Sequence, residues 1–377
     1  MGPGCCCASF QAPSGFWLET LVVACTKVIW EGTERVQVCT QPAFLTLWIL
    51  DFPRFLPNRL ASMTLVSIPA NPVPEDVVSG TIKTPDGAEL RFARWAPPAN
   101  RKGTVCVFTG RSEHIEKYFE TVRDLRDRGF AVAMIDWRGQ GHSSRRLRDP
   151  RKGYVRDFSD YEIDVETFVQ QVVLPDCPPP FFALAHSMGG AVMLRIAHAG
   201  KRWFDRMVLS APMIDLPGHA TSLPARVLLR TLRFAGLGGR YVPGGSDGLT
   251  GTASFVNNPL TSDPVRYARN AAILAEDPTL GLGSPTVAWA DSAFRAMHGF
   301  RASTYPLEIR QPILMLAASS DTVVSTSAIE EFAYHLRAGS HLVIAGSKHE
   351  ILQEQDRYRS QFWAAFDAFV PGTPLFG

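Results

Sequence analysis

Cysteine is scarce along most of this 377-residue chain. The first 39 residues hold Cys5, Cys6, Cys7, Cys25 and Cys39, and only Cys106 and Cys177 lie beyond them. An odd total that is crowded at one end does not suit a disulfide framework. Adjacent cysteines without Cys or His partners downstream also have poor spacing for a metal site. We therefore expect the rest of the chain to be reduced and to hold no structural zinc.

The chain also lacks a strong excess of charge and a long apolar run. Its net charge is +2, with neither a polybasic nor an acidic tail, so we expect no nucleic-acid partner. The apolar run that ends at residues 44–50 is shorter than the roughly 20 residues needed to cross a bilayer. Glu19 and Lys27 interrupt the earlier apolar stretch, and no basic leader precedes it. We expect no secretory signal and a cytoplasmic protein.

Residues 1–62 differ from everything that follows them. They show no sustained helical or strand period and contain most of the cysteines. Met63 stands directly before a proline-rich lead-in and strand-like sequence. We hypothesise that translation begins at Met63 and that the first 62 residues are an artefact of start assignment. A real but poorly ordered N-terminal extension is an equally good interpretation of the composition.

From Val77 onward, strand and helix patterns alternate. A hairpin is predicted around Pro85-Asp86-Gly87, followed by strands at 104–108, 130–135, 181–185, 207–210, 313–317 and 342–345. Helical spacing appears at 115–125, 161–172, 191–198, 329–336 and 362–369. This alternation predicts an α/β fold with a mostly parallel sheet, helices on both faces, and ligands at the carboxyl ends of the strands.

The alternation breaks down in one long stretch. Residues 213–305 are rich in glycine and proline and contain only short helical pieces, and they are too long for an ordinary loop. We interpret them as an inserted helical cap. The predicted core then consists of a first part at 63–212 and a second part at 306–377.

The strongest motif is the run Ala185-His186-Ser187-Met188-Gly189-Gly190, where a predicted strand passes directly into a predicted helix. A sharp turn of this kind strains the serine backbone and leaves no room for bulky side chains two residues on either side. Ala185 and Gly189 meet that requirement, although Ala185 stands where the usual motif has glycine. The motif predicts that Ser187 is a nucleophile. The alternative is a serine that merely caps the helix.

Attack by a serine on an acyl group places negative charge on the carbonyl oxygen, which amide donors must stabilise. The Met188 N–H lies at the positive end of the following helix, next to that oxygen. The second donor is expected in the loop after an earlier strand, and Thr109-Gly110-Arg111-Ser112 follows strand 104–108. We predict an oxyanion hole formed by the backbone N–H groups of Arg111 and Met188. The alternative is that Gly110 only permits a turn.

A serine hydroxyl needs a base, and a histidine base needs a carboxylate to orient it. In this type of fold the order along the chain is serine, acid, histidine. Asp321 follows the strand that starts at Ile313, and His349 follows the last predicted strand. The predicted triad is therefore Ser187, His349 and Asp321, with Asp215 as the reserve acid. Because these groups suffice for hydrolysis by water, we expect no metal and no organic cofactor.

From about Val77 to its end, the chain resembles the monoglyceride lipase and bacterial lysophospholipase branch of the α/β-hydrolases. The segment 109–114, followed by Tyr118, is similar to that branch's His-Gly-x-x-Glu-His oxyanion loop. The segment 136–143 is similar to its Asp-x-Arg-Gly-x-Gly-x-Ser motif. Thr109 replaces a histidine that is common in monoglyceride lipases, which favours the lysophospholipase side. The resemblance implies a serine hydrolase that cleaves acyl esters of monoacyl lipids through an acyl-enzyme.

Such a substrate requires an apolar tunnel and a polar mouth. In the predicted cap, Leu228 and Leu232 are candidates for the tunnel, while Arg226, Arg230 and Arg233 recur at helical spacing on another face. An arginine stripe is suited to a lipid phosphate or to peripheral contact with an anionic membrane surface. The alternative is a solvated helix face.

Three other functions compete with a lysophospholipase. A monoacylglycerol lipase or general carboxylesterase would use the same triad. A serine aminopeptidase of the same fold would need cap carboxylates to hold a substrate amino terminus, and the candidates are scattered: Asp247, Asp263, Glu276, Asp277 and Asp291. A non-catalytic scaffold would tolerate loss of a triad residue, whereas this chain retains all three.

Overall fold

The computed structural model describes residues 64–97, 101–218 and 221–370. The predictions about residues 1–62 and about Met63 lie outside the described residues. No helix in the described ranges is both long and apolar enough to cross a membrane.

Eight strands in this part of the chain form one sheet. They are β1 (Val77–Lys83), β2 (Glu89–Trp95), β3 (Thr104–Phe108), β4 (Ala131–Ile135), β5 (Phe181–His186), β6 (Arg206–Ser210), β7 (Ile313–Ala318) and β8 (Gly339–Ile344). Their order across the sheet is β1-β2-β4-β3-β5-β6-β7-β8. The pairs β1–β2 and β2–β4 are antiparallel, and the remaining pairs are parallel. The predicted mostly parallel sheet is thus confirmed.

Helices connect the parallel strands. The described α-helices are α1 (Phe119–Asp127), α2 (Ser159–Phe168), α3 (Leu174–Asp176), α4 (Met188–His198), α5 (Leu223–Leu232), α6 (Pro264–Glu276), α7 (Val287–Phe300), α8 (Tyr305–Glu308), α9 (Thr326–Tyr334) and α10 (Asp356–Phe369). A 3₁₀ turn, Ile115–Tyr118, precedes α1, and a π-helical turn, Arg233–Leu237, follows α5.

The core lies on both faces of the sheet. Alternate residues of β3 show this, because Cys106 and Phe108 belong to one buried cluster while Val105 and Val107 belong to the other. Helices α2, α4 and α9 contribute to the first cluster, and α1 and α10 contribute to the second. A central strand that is buried on both sides has a continuous apolar sequence, and this signal predicts β3, β4 and β5.

Several predicted elements start at other residues in the structure. Helix α9 begins at Thr326 instead of residue 329, and α10 begins at Asp356 instead of residue 362. Strand β8 begins at Gly339 instead of Leu342. The sequence does not predict its first residues, because Ser340 and His341 are exposed on this edge strand and carry no hydrophobic signal. Helix α4 begins at Met188 instead of Ala191. Gly189 and Gly190 are weak helix formers, but tertiary packing overrides that preference.

The chain between β6 and β7 contains α5 to α8 and packs against the rest of the described structure. The indole N–H of Trp289 in α7 donates to the Tyr161 hydroxyl of α2 at 3.1 Å. In the loop before α6, the Asn258 carbonyl oxygen accepts from Lys348 Nζ at 2.7 Å. This segment therefore contacts the loop that follows β8.

Candidate active site

Ser187 occupies a strained turn between β5 and α4. Its backbone angles are φ +50° and ψ −113°, a conformation that a residue other than glycine adopts only when its surroundings enforce it. Gly189 shows one source of that constraint. A Cβ atom there would lie 2.6 Å from the Phe108 carbonyl oxygen and 2.7 Å from that of Thr109. Close packing of α4 against the end of β3 thus holds the serine in place.

The structure brings Ser187, His349 and Asp321 together. His349 Nε2 lies 3.0 Å from Ser187 Oγ, and His349 Nδ1 lies 2.8 Å from Asp321 Oδ2. A carboxylate can only accept, so Nδ1 carries the proton and Nε2 is free to accept from the serine hydroxyl. Asp215, the reserve acid, instead pairs with Arg301 at 2.7 Å.

The Asp321 carboxylate is held in its charged form. Burial alone would raise the pKa of Asp321, but the His349 N–H and the backbone N–H groups of Val323 and Val324 donate to it, and the net pKa is lowered. Hydrogen bonds to the ionised carboxylate therefore outweigh the cost of its desolvation. The carboxylate remains an acceptor at neutral pH and orients the imidazole.

A second imidazole lies beside His349. The ring of His186 is 4.7 Å from that of His349, and His186 Nδ1 lies 3.1 Å from the Ser210 carbonyl oxygen. Burial lowers the pKa of His186 to about 4, despite the opposing effect of the nearby Glu113 carboxylate. His186 is therefore neutral at pH 7, and its Nδ1–H donates to Ser210. It therefore places no competing positive charge beside His349.

The two predicted oxyanion donors lie at the start of α4 and in the loop that follows β3, and their role stays a prediction. Met188 is the first residue of α4, so helix geometry provides no acceptor for its N–H. Arg111 lies in the loop that follows β3, next to Gly110, where a Cβ would lie 3.0 Å from the His186 ring. The loop thus runs past the histidine adjacent to the nucleophile.

Glu113 braces this loop from within. Its Oε2 accepts from the Gly110 N–H and, at 2.7 Å, from the Tyr118 hydroxyl. The side chain is buried, with 4% of its surface exposed. Glu113 is therefore a buried brace of the loop and not a solvated loop residue.

Gln140 ties the same loop to the segment 136–143. Its amide nitrogen donates to the carbonyl oxygens of Gly110 at 2.8 Å and Glu113 at 3.1 Å, and its Oε1 accepts from the Ser112 N–H at 3.3 Å. The segment itself is anchored by Asp136, whose carboxylate accepts from the Ile115 N–H at 3.0 Å. The segment 136–143 therefore holds the loop that follows β3 in place.

A buried cation connects this loop to the histidine loop. Lys117 Nζ lies 2.8 Å from Glu113 Oε1 and 2.6 Å from Glu350 Oε1, and Glu350 directly follows His349. Burial opposes the charge on Lys117, but the two carboxylates outweigh it and raise its pKa. No motif in the sequence predicts this link. A signal existed in the i, i+4 spacing of Glu113 and Lys117, but nothing in the sequence indicates that Glu350 meets them.

The predicted substrate residues lie on α5 and the turn after it, in two environments. Leu232 packs against the core, whereas Leu228 is 50% exposed. Arg230 and Arg233 both face Asp291, at 3.5 and 2.6 Å. Arg226 lines a surface depression of about 460 Å³ together with Arg230 and apolar residues of α5. The arginine stripe thus shares its face with a carboxylate, and its role in substrate binding stays a prediction.

The chain is similar to several known hydrolases. The family model described as serine aminopeptidase, S33 (Hydrolase_4) matches residues 99–356. Lysophospholipase L2 of Escherichia coli K12 is 35% identical over 285 residues, which cover 73% of this chain and 82% of that protein. Monoglyceride lipase of Mus musculus is 31% identical over 152 residues, covering 40% of this chain and 48% of that protein.

Solved structures extend the likeness to the whole fold. A soluble variant of monoglyceride lipase from Saccharomyces cerevisiae, in complex with a substrate analogue, superposes with a TM-score of 0.62. It is 20% identical in sequence, and the match covers 84% of this chain and all of that one. The chain belongs to the serine aminopeptidase S33 family of the α/β-hydrolase superfamily.

Proposed function

We propose that this protein hydrolyses the acyl ester bond of monoacyl lipids, as a lysophospholipase. One observation carries the proposal: Ser187, His349 and Asp321 form a continuous hydrogen-bonded relay, with distances of 3.0 and 2.8 Å. The relay lies at the carboxyl ends of β5, β7 and β8, where an α/β sheet places its ligands. The similarity to lysophospholipase L2 supports a lipid ester as substrate.

In the first half of the reaction, His349 Nε2 removes the proton from Ser187 Oγ as this oxygen attacks the ester carbonyl carbon. The carbonyl oxygen becomes negative and accepts from the backbone N–H groups of Met188 and Arg111. The C–O bond to the alcohol then breaks, and His349 donates its proton to the leaving oxygen. The products are a free alcohol and an acyl ester on Ser187.

In the second half, a water molecule replaces the alcohol. His349 takes a proton from the water, the hydroxide oxygen attacks the acyl carbon, and the bond to Ser187 Oγ breaks with return of the proton. Asp321 stays ionised throughout and stabilises the transient imidazolium. The fatty acid leaves, and the serine is restored.

The segment between β6 and β7 acts in this proposal as a cap over the acyl chain. It also displays apolar side chains to solvent on α5 and the turn after it, with exposures of 66% for Leu223, 55% for Val227 and 79% for Phe234. Arg226 and Arg230 lie among them. An apolar face bordered by arginines suits the surface of an anionic bilayer. We therefore propose peripheral membrane contact through α5.

Aminopeptidase activity is less well supported. Most of the candidate carboxylates are already engaged: Asp247 pairs with Arg151, Asp263 with Arg266, Asp277 with His142, and Asp291 with Arg233. A substrate ammonium would have to displace these partners. A purely non-catalytic scaffold would have no need of a serine held in a strained turn and bonded to a histidine.

A fluorophosphonate probe tests the catalytic proposal. The wild-type protein should be labelled at Ser187, and it should release fatty acid from lysophospholipid in micelles. Ser187→Ala should abolish labelling and lower kcat by at least about 10⁴-fold, because the remaining groups supply no nucleophile. Monoacylglycerol, p-nitrophenyl esters and amino-acid amides, compared by kcat/KM, separate the rival substrates. Labelling that persists in Ser187→Ala would refute the assignment.

A further inference from the structure

Arg111 carries a positive charge that the described residues leave uncompensated. Its side chain donates to the Ser112 hydroxyl at 2.9 Å and to the Gly283 carbonyl oxygen at 2.7 Å, and it stacks over the Trp289 ring at 5.1 Å. All of these partners are neutral. Its Nε atom is shielded from solvent and has no hydrogen-bond partner in the described structure.

Two other enclosed arginines are neutralised by carboxylates. Arg91 contacts the carboxylates of Glu116 and Asp136, and Arg138 contacts those of Asp86 and Asp164. A desolvated charge is costly unless it is paired. Arg145 also lacks a carboxylate partner, but the carbonyl oxygens of Gly139, Gly141 and Thr279 accept from it. Arg111 combines the lack of a carboxylate with an Nε–H that has no acceptor in the described residues, and it lies in the loop that follows β3.

The charge persists despite its surroundings. Burial lowers the pKa of Arg111 to about 10, so the side chain remains protonated at neutral pH. An anionic ligand group would supply both the missing charge and an acceptor for the Nε–H. A phosphate suits this best, because the planar fork of arginine matches two phosphate oxygens.

We propose that the Arg111 side chain binds the phosphodiester of a lysophospholipid and so selects this substrate over a neutral monoacylglycerol. The inference rests on the proposed function, in which the backbone N–H of the same residue holds the ester oxygen. In a lysophospholipid only the glycerol carbons separate the ester from the phosphate. One residue then contacts the substrate twice, through its main chain at the reacting ester and through its side chain at the headgroup.

The test compares two substrates that differ in the headgroup alone. Palmitoyl lysophosphatidylethanolamine and palmitoylglycerol are presented in the same neutral detergent micelles, and kcat/KM is measured for wild type, Arg111→Gln and Arg111→Lys. Arg111→Gln should lower the ratio of lysophospholipid to monoacylglycerol turnover roughly 10- to 100-fold, the loss expected for charge-assisted hydrogen bonds. Arg111→Lys should be intermediate, because it keeps the charge but not the fork.

A matched control is Arg357→Gln, which removes the same charge from an exposed position over Tyr358 on α10. It should leave the ratio unchanged. Thermal unfolding and the rate of fluorophosphonate labelling verify that each variant is folded. Sn-glycero-3-phosphoethanolamine should inhibit the wild type competitively and Arg111→Gln more weakly.

The outcomes separate the two proposals. If the wild-type protein hydrolyses neither lipid, the proposed function itself is wrong. Equal losses with both lipids in Arg111→Gln would show that the side chain only positions the oxyanion loop, and the headgroup inference would fall. Inhibition by inorganic phosphate as strong as that by the glycerophosphoester would identify a free-phosphate site and would also overturn it.

Discussion

Replacement of Lys117 by methionine probes the link between the oxyanion loop and the histidine loop. In the native structure, Lys117 Nζ lies between the carboxylates of Glu113 and Glu350, at 2.8 and 2.6 Å, and all three side chains are 10% exposed or less. Methionine is close to lysine in volume, so Lys117→Met creates little cavity. It leaves the two carboxylates without a cation. Breaking a buried ion pair by removal of one partner costs about 3–5 kcal/mol of the free energy of unfolding.

The size of this loss should depend on pH. Burial opposes ionisation of Glu113, but Lys117, His186 and the Tyr118 hydroxyl outweigh it and lower its pKa to about 2. The lowered pKa stabilises the fold above the unfolded pKa of about 4.3, and this stability is lost only as the pH falls towards 2. Without Lys117, burial and mutual repulsion would raise the pKa values of Glu113 and Glu350. Raised carboxyl pKa values destabilise the fold increasingly as the pH rises through 4.3, so the variant should lose more stability at pH 8 than at pH 4.

Urea unfolding at pH 4 and pH 8 measures this difference. The double variant Lys117→Met, Glu350→Gln should recover part of the pH 8 loss, because it removes one of the two stranded charges. Lys117→Met should also lower kcat more than it changes KM, since Glu113 holds the Gly110 N–H of the oxyanion loop. The reasoning would be refuted if the stability losses of Lys117→Met and Glu350→Gln simply added in the double variant. It would also be refuted if Lys117→Met lost the same stability at pH 4 and pH 8.

The remaining predictions concern the acid and the membrane face. Asp321→Asn should lower kcat/KM about 10⁴-fold, because the amide stabilises neither the required tautomer of His349 nor its imidazolium. Asp215→Asn should lower kcat/KM at most a few-fold. Comparable losses in the two variants would show that Asp321 is not the triad acid. Replacement of both Val227 and Phe234 by aspartate should lower the affinity for anionic vesicles roughly tenfold or more, since it removes apolar area and adds negative charge. Sedimentation with vesicles measures the affinity, turnover of a soluble short-chain ester serves as the control, and unchanged binding would exclude α5 as the docking face.

Much of the fold could be predicted from the sequence, because its signals are local. The central strands are buried on both sides and therefore appear as short apolar runs, and the helices between them repeat at helical spacing. The start of edge strand β8 is not evident from the sequence, because Ser340 and His341 are exposed and give no apolar signal. The start of α4 was misplaced for a related reason: contacts with the end of β3, and not helix propensity, require Gly189.

For the site, the sequence by itself determined the candidates Ser187, Asp321 and His349, because each follows a recognisable strand and the order of the three is restricted by the fold. Only the tertiary structure decided that Lys117 joins Glu113 to Glu350, and that Arg111 lacks a carboxylate partner in the described residues. Those facts depend on side chains that are far apart in the sequence. Lys117 and Glu350, for example, are separated by 233 positions. A local pattern can predict which face a residue occupies, but the neutralisation of a buried charge depends on which distant groups the packing brings to it.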